Sequence, residues 1–176
     1  TTPGLAYATQ AGAFDAGVMI SASHNPFADN GLKVFSRDGL KLEDAMESRI
    51  ETIILDPAVA TPREGAGRAV PDDALVRRYV QVLEQAIPAG RFSGLRLFLD
   101  CANGSASAIA PAVFRHLGAA VETQGDTPNG RNINLDCGSL HLDGLAAQVR
   151  EGGFDLGLAF DGDADRCLAI DRRGRV

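Results

Sequence analysis

Short apolar runs, each breaking off at small or polar residues, recur along this chain and alternate with segments whose apolar positions fall three and four residues apart. The runs are Ala16–Ile20, Leu32–Phe35, Leu95–Asp100, Ala119–Thr123, Phe154–Phe160 and Cys167–Asp171. Runs this short, bounded by Gly, Pro, Asn or Asp, read as strands. The periodic stretches between them read as helices: one opening behind Thr1-Thr2-Pro3-Gly4, then 42–54, 72–87, 108–117 and 142–150, the last closed by Gly152-Gly153. Strands alternating with helices bury both kinds of apolar face in a layered fold with a mainly parallel sheet and right-handed crossovers. The expected fold class is α/β, as two consecutive, mixed or mainly parallel α/β/α sandwich units.

Within the first unit, 16–20 reads as a buried strand. Asp29-Asn30-Gly31 is a tight turn returning the chain into the strand 32–35, and Ser36-Arg37-Asp38-Gly39 is a second turn. Periodicity is lost over 56–71, where Pro, Gly and charge gather, so a linker or irregular crossover is expected there. The expected division is a first unit at 1–71, a connecting helix and linker at 72–94, and a second unit at 95–176.

The chain's 176 residues suit one ordinary domain or two small ones. With 45% hydrophobic and 23% charged residues it is globular in type, and its net charge of -6 argues against a nucleic-acid partner, which needs clustered Lys and Arg. Cys101, Cys137 and Cys167 contain no C-x-x-C pair, so neither zinc nor a disulfide framework is implied and a cytoplasmic setting is expected. No run is long enough to span a membrane. The chain opens on Thr1 and stops just past the turn signal Asp171-Arg172-Arg173-Gly174, so a piece of a longer protein is expected.

Two motifs carry chemistry. Ser21-Ala22-Ser23-His24-Asn25-Pro26 follows the strand ending at Ile20, where an open α/β sheet collects its reactive groups; a polar turn would also account for it. Asp161-Gly162-Asp163-Ala164-Asp165-Arg166 leaves the end of another apolar run. In a nearly extended segment residues two apart share a side, so the three carboxylates are expected to converge. Crowded carboxylates repel unless a cation sits among them, and hard oxygen ligands favour Mg²⁺ or Ca²⁺. An EF-hand is excluded because its sixth and twelfth positions would be Arg166 and Arg172. Arg166 could meet a phosphate oxygen or pair with the aspartates. Lys33, in an otherwise apolar strand, reads alone as an exposed strand lysine. The small-residue turn Cys101–Ala106 lacks Walker spacing and reads as a close-packed turn, with anion binding at the helix start as the other reading.

In this order, the serine motif, Asn30-Gly31-Leu32-Lys33 and the aspartate motif resemble the α-D-phosphohexomutase superfamily. Pro128-Asn129-Gly130-Arg131-Asn132-Ile133-Asn134 followed by Cys137-Gly138-Ser139 is similar to its phosphoglucosamine mutase branch. The resemblance implies a fragment of a four-domain protein, with the end of domain I and most of domain II. It further implies that Ser23 is a phosphoserine and that Asp161, Asp163 and Asp165, with a phosphate oxygen on Ser23, hold one Mg²⁺. Lys33 and His24 become acid/base candidates, and Arg166 and Asn25 phosphate-binding ones. The implied reaction interconverts glucosamine 6-phosphate and glucosamine 1-phosphate through glucosamine 1,6-bisphosphate, with a phosphorylated hexosamine as partner, a homodimer in the full-length protein, and no turnover by these residues alone. The alternatives are a phosphomannomutase or phosphoglucomutase of the same superfamily, or a non-catalytic Mg²⁺- or diphosphate-sugar-binding module. Ala164, where many members have Gly, is expected to resist a positive φ.

Overall fold

A computed structural model describes residues 1–58 and 68–176. Most of the expected linker at 56–71 therefore lies outside the described residues.

The first elements are α1 (Thr2–Ala11), β1 (Ala16–Ile20), β2 (Leu32–Ser36), α2 (Asp44–Leu55) and α3 (Asp73–Gln85). Thr1 caps α1 by accepting the Gly4 N–H, and Asp72 caps α3 by accepting the Ala74 N–H. β1 and β2 form an antiparallel hairpin in which Ala16 faces Ser36 and Ile20 faces Leu32. Helix α1 lies on one face of it, so close that a Cβ on Gly17 would sit 2.2 Å from Thr9 Oγ1. The other face carries Val18, Ile20 and Leu32, all exposed. The expectation of a buried strand at 16–20 is thus corrected: among the described residues the hairpin has two strands, α1 packs on one face, and on the other Ile20 and Leu32 share an open pocket with Ile50 and Ile54 of α2, so alternate apolar side chains stay exposed.

The second sheet comprises β3 (Arg96–Asp100), β4 (Ala120–Gln124), β5 (Leu156–Phe160) and β6 (Cys167–Asp171), ordered β4-β3-β5-β6. β3 runs parallel to β4 and β5, and β6 closes the edge antiparallel to β5. Helices α4 (Ala110–His116, entered through a 3₁₀ turn at Ser105–Ala108) and α5 (Leu142–Gly152) make the crossovers. Alternation along β3 sorts the core: Leu97 and Leu99 pack with Cys101, Ala106, Ala119 and Leu158, while Phe98 packs with Leu145, Val149, Phe154, Ala159 and Ile170 beneath α5. Gly153, at φ +67, ends α5 in the left-handed conformation that a helix C-terminus favours. The two-unit α/β architecture is as expected, with the parallel pairs confined to β4-β3-β5.

From β3 the chain first moves to β4 on one side and then to β5 on the other. The order therefore reverses between β3 and β5, and a crevice opens outside their carboxyl ends. The Cys101–Gly104 turn and the aspartate loop sit at that crevice. They touch there: Ser105 N–H donates to Gly162 O (2.8 Å), and a Cβ on Gly104 would lie 2.3 Å from the same oxygen. Cys101–Ala106 is thus the close-packed turn.

Candidate active site

Beyond β1 the serine loop is drawn tight by its own hydroxyls and amides. Ser21 N–H donates to Gly31 O (2.9 Å) across the hairpin, Ser23 N–H donates to Ser21 Oγ (2.9 Å), and Asn25 N–H donates to Ala22 O (3.1 Å). Ser23 itself has φ +57. A residue with a Cβ enters that region at a cost of roughly 1–2 kcal/mol, so it does so where surrounding contacts over-determine it. Its hydroxyl is thereby turned toward the second unit, where Ser23 Oγ donates to Asp161 Oδ2 (2.7 Å) and accepts from Arg166 Nη2 (2.7 Å).

The aspartate loop is a turn, with Ala164 N–H donating to Asp161 O (3.0 Å) and Ala164 at φ +57. Two expectations are corrected by this. The carboxylates converge because the chain curls, not because it is extended, and Ala164 adopts the positive φ its Cβ was expected to resist. Gly162 must remain a glycine for another reason: a Cβ there would lie 2.4 Å from Ser23 O and 2.7 Å from Ile133 Cδ1. Backbone thus meets backbone between the two loops. One oxygen from each of Asp161, Asp163 and Asp165 falls within 4.8 Å of the others; Asp161 and Asp163 are fully buried and Asp165 is exposed.

Cations surround this cluster. Lys33 Nζ pairs with Asp163 and lies 3.4 Å from Asp165 Oδ2, which corrects the reading of Lys33 as an exposed strand lysine. Arg166 reaches Asp161 Oδ2 through Nε (3.1 Å) and Nη2 (3.0 Å), and Asp165 Oδ1 through Nε (3.6 Å). Burial alone would push the Asp163 carboxyl up, but hydrogen bonds from Lys33 and Thr2 outweigh it and hold it at about 2. Burial and the neighbouring charges of Asp163 and Asp161 push Asp165 up. For Lys33, burial works against the charged form, but the bonds and charges of Asp163 and Asp165 prevail and raise it, so it stays an ammonium.

The donor set fits a hard divalent cation. Three carboxylates converge, and Asp163 Oδ1 is buried without a hydrogen-bond partner, a costly condition for an anionic oxygen that a cation would relieve.

All the residues singled out as catalytic or metal-binding come together at the crevice. His24 presents Nδ1 to Arg166 Nη2, so that nitrogen accepts, since a guanidinium only donates. Asn25 takes part through its main-chain carbonyl. Three further residues matter. Thr2 Oγ1 donates to Asp163 Oδ2 (2.8 Å) and Thr2 N–H to Asp163 O (2.9 Å), tying the start of α1 to the aspartate loop. Asp100, fully buried, accepts from Ala102 N–H (2.9 Å), Gln124 Nε2 (2.8 Å) and Gly138 N–H (2.7 Å). Asn134 donates to the carbonyls of Ser23 and Asn25. Asp100 could have been found as a carboxylate ending an apolar run, and Asn134 closes the Pro128–Asn134 motif, which carried no assigned role; Thr2 left no local signal. A cavity of about 330 Å³ opens beside the serine loop but is lined by none of the carboxylates, nor by Lys33 or Arg166, so it lies behind the loop rather than at this cluster.

Comparison with known proteins matches both units to described domains. Residues 1–59 match the phosphoglucomutase/phosphomannomutase alpha/beta/alpha domain I, and residues 77–174 match domain II of the same description. The chain belongs to the phosphoglucomutase/phosphomannomutase family. It is similar to the phosphoglucosamine mutase of Geobacter sp. (strain M21), at 50% identity over 179 residues, covering 99% of this chain and 39% of the relative. It is also similar to that of Hahella chejuensis, at 47% identity over 176 residues, covering 99% and 40%. A crystal structure from Thermus thermophilus shares the fold with a TM-score of 0.80 at 24% identity, covering 98% of this chain and 40% of that one. The chain spans about 40% of the length of the curated relatives it matches.

Proposed function

We propose that these residues form the phosphoryl-transfer half of a cytoplasmic phosphosugar mutase that interconverts glucosamine 6-phosphate and glucosamine 1-phosphate, with Ser23 as the phosphoryl carrier. The observation that carries the reading is the hydroxyl of Ser23, held in a left-handed turn against Asp161 and Arg166 at the rim of a three-carboxylate cluster. The phosphoglucosamine mutases among its relatives supply the choice of amino sugar.

In the first half reaction the Ser23 Oγ–phosphorus bond breaks as a sugar hydroxyl oxygen bonds to phosphorus, and the hydroxyl proton leaves to a base. The resulting glucosamine 1,6-bisphosphate turns end for end, and its other phosphate returns to Ser23. Such transfers depend on positioning and on cations that neutralise the phosphoryl oxygens. Arg166, already on Ser23 Oγ, supplies one charge and Lys33 another. Lys33, held as an ammonium, acts as a charge and proton donor. His24 is the neighbouring group for proton removal, through Nδ1 once Arg166 leaves it for the phosphoryl oxygens. Asp161, Asp163 and Asp165 would hold Mg²⁺, which when bound adds further positive charge beside the transferred group.

The test uses the complete gene product with Mg²⁺ and a trace of hexose bisphosphate, offered glucosamine 6-phosphate and glucose 6-phosphate side by side. A preference for the amino sugar, lost together with phosphate incorporation in Ser23→Ala, is the expected result. Equal or reversed preference assigns a different sugar, and full phosphate incorporation in Ser23→Ala refutes the carrier role. The 176 residues alone are expected not to turn over.

A further inference from the structure

The loop 125–139 contains the Pro128–Asn134 motif, which takes no part in the phosphoryl transfer just described. It is fastened to the second unit at several points. Gly138 N–H donates to the buried Asp100 carboxylate (2.7 Å), Asn103 Nδ2 donates to Asn132 O (3.2 Å), and Asn134 N–H donates to Ala102 O (2.8 Å). From this base the Asn134 side chain leaves the second unit and ends on the first. Its Nδ2 donates to Ser23 O and Asn25 O, both at 2.9 Å. Both partners are carbonyls and can only accept, so the amide's NH₂ end must face them.

The position of these bonds gives them their meaning. Ser23 lies at φ +57, a conformation that a residue with a Cβ abandons unless it is held. Ser21 Oγ holds the Ser23 N–H from one side and the Asn134 amide holds the Ser23 carbonyl from the other. The same amide spans to Asn25, so it fixes the chain on both sides of His24. If the peptide relaxed to ordinary φ, Oγ would swing away from Asp161 and Arg166. We propose that Asn134 is the positioning residue that keeps Ser23 in its left-handed, Asp161-facing conformation, acting through the Ser23 and Asn25 carbonyls. The proposal rests on Ser23 being the phosphoryl carrier and deepens that reading.

Two variants separate the amide from other roles. Asn134 itself has φ +56, so Asn134→Gly keeps the backbone at ease while removing the amide. Asn134→Asp keeps the shape but turns an oxygen toward two carbonyls. In the complete gene product both are expected to lower kcat about 100-fold, the effect of a misplacement near 1 Å at a reacting group. KM is expected to stay within about twofold, since the Asn134 amide is taken up by the Ser23 and Asn25 carbonyls. The rate of phosphate incorporation at Ser23, measured in a single turnover, is expected to fall with kcat. Asn134→Gly with wild-type kcat, whatever its melting temperature, overturns the proposal, as does a rise in KM with kcat unchanged. Asn134→Gly also decides the matter if Asn134→Asp does not fold. Phosphate incorporation persisting in Ser23→Ala refutes the carrier reading itself; loss there, with Asn134→Gly at wild-type rate, refutes only the role of Asn134.

Discussion

Replacing Lys33 by Met removes the charge that stabilises the Asp163 carboxylate while keeping most of the side chain's bulk. Asp163 is fully buried and its carboxyl is held at about 2 against an ordinary 3.8. At about 1.36 kcal/mol per pH unit, that depression contributes about 2 kcal/mol. Because the folded-state value is depressed, the contribution is fully present above 3.8 and is lost as the pH falls through about 2. Without Lys33, the Thr2 hydrogen bond remains but burial dominates, and the Asp163 carboxyl rises above its ordinary value. Stripping a buried ion of its partner costs about 3 kcal/mol. Urea unfolding in EDTA at a series of pH values measures both effects. The wild type is expected to exceed Lys33→Met by about 3 kcal/mol at pH 7, with the gap closing toward pH 2. A gap that stays constant across this range would show that Lys33 does not govern Asp163.

Gly162→Ala would drive a Cβ into Ser23 O and Ile133, so a loss of about 1–3 kcal/mol in thermal unfolding is expected, together with slowed phosphate uptake at Ser23; an unchanged melting temperature would count against the close approach. Mg²⁺ at about 100 times its dissociation constant should stabilise the protein by about 2.7 kcal/mol in calorimetry, an increment lost in Asp163→Asn and reversed by EDTA. Burial pushes the Cys101 thiol up to about 12 and Cys137 to about 11, so the folded state keeps protons that the unfolded chain sheds above 9. Stability should accordingly fall between pH 9 and 11 by about 1.4 kcal/mol per pH unit per thiol, while Cys167, exposed, should be the first thiol to react with an aromatic disulfide.

The sheet and its helices were legible because short apolar runs and helical spacings are local. Ala16–Ile20 and Cys167–Asp171 coincide with β1 and β6 residue for residue, and Leu142–Arg150 falls within α5. The residues that gather at the crevice were legible because the serine and aspartate motifs each follow a strand end, one in either sheet. What stayed hidden depends on contacts across the chain. The exposure of β1 is set by how many strands flank it, and the left-handed turns at Ser23 and Ala164 are set by neighbours rather than by residue type. Thr2 and Asp163 stand 161 residues apart, and Asn134 and Ser23 stand 111 apart, so no window of sequence joins them.

Thr2 on Asp163 and Asn134 on Ser23 fasten the two units to each other from opposite directions, each unit gripping the reactive loop of its partner. Sliding one unit against the other would part the Ser23 hydroxyl from the carboxylates. This seam therefore behaves as the fixed jaw of a vice. Because its N–H is bonded to the aspartate loop, the amide of Thr2 should be among the slowest in the first unit to exchange its hydrogen for deuterium.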